Sequence, residues 1–117
     1  MKYFKLKEFD SPDIDGSGVN MDSAFLDKLD QARELAGIPF KITSGYRSHT
    51  HNRKVGGVPD SSHTLGYAAD IHCVNSAQRH IIITSLLSVG LNRIGVSNTF
   101  IHVDNDPSKV ANVIWTY

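Results

Sequence analysis

The sequence has a single cysteine, Cys73, so no disulfide can form within the chain, and the fold must be held by its core, with or without a metal. A small buried strand residue is the expected role for Cys73. Excess charge is missing as well: twelve basic and twelve acidic side chains cancel, leaving no electrostatic footprint for nucleic acid or an acidic membrane surface. Long apolar runs are absent. The opening "MKYFKLKEFD" reaches Glu8 and Asp10 before any run of signal-peptide length, and nothing further on approaches a membrane span. The expectation is a product made in the cytoplasm without a signal peptide and not inserted into a membrane; an extracellular substrate would need some other route of delivery. With 117 residues, one domain with one modest core, spanning 1–117, is expected.

What is present divides readily. Residues 10–20, "DSPDIDGSGVN", have the Asp, Ser, Pro and Gly content of a loop. From Asp22 to Ala36, Phe25, Leu26, Leu29, Ala32 and Leu35 recur at three- and four-residue steps, which predicts an amphipathic helix stopped by Gly37 and kept from resuming by Pro39. "FKITSGY", 40–46, alternates as a strand does and puts Arg47 at its end. Residues 48–66 show no sustained periodicity and predict a long structured loop, which in a compact domain is usually functional. "GYAADIHCV" predicts a buried strand, 76–89 a helix ended by Gly90, and "NRIGVS", "TFIHVD" and "NVIWTY" three short strands. Helices and strands that mix without regular alternation predict an α+β fold with a small, mainly antiparallel sheet.

Two stretches carry chemistry. In "SSHTLGYAADIH", His63 precedes Asp70 by seven residues, and Asp70 lies in the apolar context "AADI", where a carboxylate is costly to bury unless it meets a cation. A metal would supply one, since zinc sites take three ligands from His, Asp, Glu or Cys and leave a fourth position for water. Backbone amides or an arginine would satisfy the same aspartate. In "FIHVD", the two-residue period of a strand puts His102 and Asp104 on one face, about 7 Å apart. Arg47, beside the loop leading to His63, is either a surface charge or a group able to polarise a carbonyl or bind a carboxylate.

Taken together, "SGYRS", "HNRKVGG", "SSHTLGYAADI" and "FIHVD" resemble the zinc D-Ala-D-Ala peptidase family, whose fold is shared with the hedgehog signalling domain. The family motif S-x-H-x-x-G-x-A-x-D is matched at Ser61, His63, Gly66, Ala68 and Asp70, and the resemblance runs from about residue 20 onward. It implies a hedgehog/DD-peptidase-like fold, Zn2+ as cofactor held by His63, Asp70 and His102, Arg47 stabilising an oxyanion or holding substrate, and Ser61 lining the substrate site. Some members carry an acidic base shortly before the last histidine; here Val96, Ser97, Asn98 and Thr99 stand there. Asp104 is then the candidate either for general base or for the group that orients a ligand histidine. Trp115 and Tyr117 alternate on the last strand and are placed to wall a peptide groove or to pack. The implied activity is hydrolysis of peptide bonds in peptidoglycan stem peptides or cross-links by a monomeric enzyme, of the D,D-carboxypeptidase or endopeptidase type, phage lysin or virion-associated. The alternative is an inactive zinc-binding module of the same fold.

Overall fold

A computed structural model describes residues 1–117. The helix predicted after the first loop is α1, Ser23–Ala36, begun by the Asp22 carboxylate accepting from the Phe25 amide and closed by Gly37. Its buried face is Phe25, Leu26, Leu29 and Ala32, while Leu35, expected in the stripe, is exposed. The first strand is shorter than the alternation predicts, with β1 covering Ile42–Ser44. The remaining strands are β2 Ala68–His72, β3 Arg93–Val96, β4 Phe100–Asp104 and β5 Val113–Thr116. The helix before β3 is α3, Ser76–Ser88, capped by the Asn75 side chain, which accepts from the Gln78 amide.

These strands form one five-stranded sheet in the order β1-β2-β4-β3-β5, antiparallel throughout except for the parallel β3–β5 pair. The fold is therefore α+β with a mainly antiparallel sheet and helices packed on it, as the sequence predicts. Alternation then assigns the faces. Ala69, Ile71 and Cys73 from β2 and its end, with Ile101 and Val103 from β4, join the helices' Leu29, Ile82 and Leu86 in the core. Asp70, His102 and Asp104 fall on the opposite face. In register, Asp70 lies directly across from His102.

One segment differs from expectation. Part of the predicted loop at 48–66 is helical: α2, His49–Lys54, is started by the Ser48 hydroxyl accepting from the His51 amide. Six residues with Asn52 as their only buried side chain show no apolar period to read. The N-terminal segment reaches the core as well, through Phe4 and Phe9. The Tyr46 amide donates to the Phe9 carbonyl at 2.8 Å. That close approach depends on Gly45, where an added Cβ would lie 2.6 Å from the Phe9 Cα.

Candidate metal centre

Asp70 is delivered by β2 and His102 by β4, side by side in the sheet, while His63 comes from the turn before β2. All three are buried, and each offers a ligand atom within 4.8 Å of the other two. Asp70 Oδ1 is 3.3 Å from His63 Nε2 and 3.0 Å from His102 Nδ1. Ligand atoms about 2 Å from a tetrahedral ion stand roughly 3.3 Å apart, a separation that both distances to Asp70 approach.

The far nitrogen of each ring decides which nitrogen is available. His63 Nδ1 lies 2.8 Å from the Gly45 carbonyl, an acceptor only, so Nδ1 carries the hydrogen and Nε2 faces Asp70. His102 Nε2 donates to Asp104 Oδ2 at 2.7 Å, which turns Nδ1 towards Asp70. Asp104 is 1% exposed and fully engaged: its other oxygen accepts from Arg93 Nε at 2.7 Å and from the Asp106 amide at 3.1 Å. A carboxylate–imidazole–metal arrangement of this kind fixes tautomer and ring orientation.

The electrostatics follow from these contacts. Burial pushes the Asp70 carboxyl upward, but the hydrogen bond with His102 and the adjacent His63 imidazole outweigh it and hold the group well below the usual carboxylate range. Burial alone would depress His102; the hydrogen bonds to Asp104 and Asp70 instead raise it above an ordinary imidazole. For Asp104 burial is likewise overcome, here by His102, the Asp106 amide and Arg93. The carboxylate and the two imidazoles thus make a buried cluster that favours a cation, whether a proton or a metal ion.

Arg47 stands beside this cluster, its Nη2 being 3.5 Å from Asp70 Oδ2. Its Nε donates to the Ser44 hydroxyl at 3.0 Å and its Nη1 to Asn52 Oδ1 at 3.4 Å. Of its five N–H donors, two remain for a ligand. A cleft of about 320 Å³ opens over the centre, with His63, Asp70, His102 and Arg47 polar and Val55, Val58, Phe100 and Tyr117 apolar or aromatic around it.

The structure thus brings His63, Asp70, His102 and Arg47 to one cleft. Asp104 sits behind His102 and not in the cleft. Ser61, expected at the substrate site, is buried in the turn: its hydroxyl accepts from the His63 amide at 3.3 Å, and it is not part of the cleft lining. Its side chain shapes the His63 loop. Two supporting residues were not legible in the sequence. Arg93 becomes meaningful only through the β3–β4 register, which sets it opposite Asp104. Asn52 stands in "HNRKVGG", but nothing in that stretch says its amide would bridge Arg47 to the Val58 carbonyl.

No curated protein matches the sequence. The family model for Peptidase M15 matches residues 2–104. It starts well before residue 20, in keeping with the core positions of Phe4 and Phe9, and it ends at Asp104, short of β5. It takes in the whole His63–Asp70–His102 cluster, a set of donors suited to the zinc on which peptidases of this family depend, and it is the family that the four motifs resemble: the chain belongs to the peptidase M15 family.

Proposed function

We propose that residues 1–117 form a zinc metallopeptidase domain that hydrolyses peptide bonds in bacterial peptidoglycan stem peptides or cross-links, as a D,D-carboxypeptidase or endopeptidase. The observation that carries this is the convergence of His63 Nε2 and His102 Nδ1 on one oxygen of Asp70, each ring held by an acceptor on its far side. His63, Asp70 and His102 would hold the ion. The chemistry zinc supplies when bound is Lewis acidity, activating water near neutral pH and polarising the scissile carbonyl. Arg47, braced by Ser44 and Asn52, offers its remaining N–H groups to the developing oxyanion or to a substrate carboxylate. Asp104 acts through His102: its burial and its fully engaged oxygens support the orienting role over that of general base. Ser61 contributes by holding the His63 turn. The expected setting is a monomeric phage lysin or virion-associated enzyme that meets the wall after release.

A second reading, an inactive zinc-binding module, has one observation in its favour: Asp70 is the only carboxylate lining the cleft, so no free acid stands ready as a base. Digestion of purified peptidoglycan by the zinc-loaded protein, with products identified by mass spectrometry, separates the two. Defined cleavage that vanishes in His63→Ala supports the peptidase and names the bond. Intact peptidoglycan across wall types, despite one zinc per chain, would leave the inactive module.

A further inference from the structure

The family match ends at Asp104, yet the cleft over the metal centre is completed by a residue beyond it, Tyr117. β5 runs parallel to β3 at the sheet edge, and the Tyr117 amide continues the ladder by donating to the Val96 carbonyl at 3.3 Å. Strand alternation then turns Trp115 and Tyr117 to the same face as the ligands. Trp115 lies with its ring centre 5.4 Å from that of His102, and Tyr117 with its ring centre 5.2 Å from that of Phe100. Gly95 makes this possible, because a Cβ there would stand 2.6 Å from the Trp115 indole nitrogen. The indole settles on bare backbone.

The Tyr117 ring stands against Phe100 at the rim of the cleft that Asp70 and Arg47 also line. A phenol hydroxyl both donates and accepts, so Tyr117 has a hydrogen to offer to a group bound in the cleft. Tyr117 is nevertheless 70% exposed, so its ring is not consumed by packing. Val55 and Val58, also exposed, line the same cleft. An aromatic surface and an aliphatic one beside the remaining N–H groups of Arg47 suit a peptide backbone carrying small uncharged side chains.

We propose that Tyr117 is a substrate-binding residue of this cleft, its phenol donating a hydrogen bond to a carbonyl oxygen of the bound peptide and its ring covering the peptide beside the scissile bond. The assignment rests on the zinc-peptidase reading but not on the cell-wall substrate. It is tested with acetohydroxamate, a small zinc ligand whose oxygens occupy the place of the scissile carbonyl and the attacking water. Titrated into zinc-loaded protein, it should bind Tyr117→Phe about fivefold to tenfold more weakly than wild type, the span of one hydrogen bond, with zinc content and melting temperature unchanged. Tyr117→Ala should match the Phe variant for this probe and lose further affinity only for muropeptides, which the ring would cover. Equal hydroxamate affinity in wild type and Tyr117→Phe overturns the assignment, as does wild-type zinc protein that does not bind the probe. If the Phe variant shows the loss while wild type leaves peptidoglycan intact, the cell-wall substrate falls and the role of Tyr117 stands.

Discussion

At the scale of single residues, the centre depends on what stands behind each ligand. Asp104 holds His102 through Nε2 and is itself held by Arg93, which lies over the Trp115 ring at 5.1 Å. Replacing Asp104 by Asn removes the charge that fixes the imidazole while keeping the shape. Loss of such a supporting carboxylate weakens metal affinity about 10- to 100-fold, and competition with a chelator measures it. Turnover at saturating zinc then separates the two roles that the sequence leaves open. If Asp104 only orients His102, activity of Asp104→Asn largely returns as zinc is raised; if Asp104 moves the proton, the loss persists with the metal site full. The sequence shows that His102 and Asp104 share a strand face, because the period of two is local. Which way the carboxylate turns depends on Arg93 and the Asp106 amide, partners brought by a neighbouring strand and a following turn.

At the scale of elements, what was legible is what carries a period. α1 is marked by apolar spacing, and β2 and β4 by apolar residues alternating with the candidate ligands, while α3 has no such stripe and shows only as a stretch ended by Gly90. The motif around His63 and Asp70 likewise shows in the sequence because both residues lie within one short stretch. α2 does not, and neither does the parallel pairing of β5 on β3, which depends on contacts far apart in sequence. α2 is too short to be stable alone. It is held by Ser48, whose hydroxyl also donates to Asp13 at 2.6 Å, and by Asn52, whose Nδ2 donates to the Val58 carbonyl at 2.8 Å while its own carbonyl accepts from the Gly57 amide at 2.9 Å. Asn52 thereby ties Arg47 to the wall of the cleft. Asn52→Ala should cost about 1–3 kcal/mol in chemical denaturation, the range for leaving buried polar partners unsatisfied. Its functional signature should be a lower kcat with zinc content unchanged, since Arg47 loses a brace and the ligands do not. A variant with normal kcat would show that Ser44 alone suffices to place Arg47.

At the scale of the molecule, the candidate metal centre joins two neighbouring strands and the turn before them, since His63 precedes β2, Asp70 lies within it and His102 stands beside it on β4. A metal bound only by the folded chain stabilises it, and here it competes with a proton. Without metal, His102 is raised above its unfolded value of about 6.5, so its contribution to stability is complete below that pH and is lost as pH rises through the folded value. Asp70 and Asp104 are depressed below about 3.9, so their contribution holds above that pH and fades as acid protonates them. The metal-free chain should therefore be steadiest between roughly pH 4.5 and 6.5 and weaken on the alkaline side. An ion held by His63, Asp70 and His102 would take over the cationic role of the His102 proton and remove that alkaline loss. Over the range where the free protein still holds the His102 proton, binding must release it, and zinc affinity should rise about tenfold per pH unit. Melting curves at fixed free zinc give the measurement: the gap between zinc-loaded and metal-free protein should widen from pH 6 to pH 8. A gap independent of pH would mean that the metal-free centre carries no proton at His102.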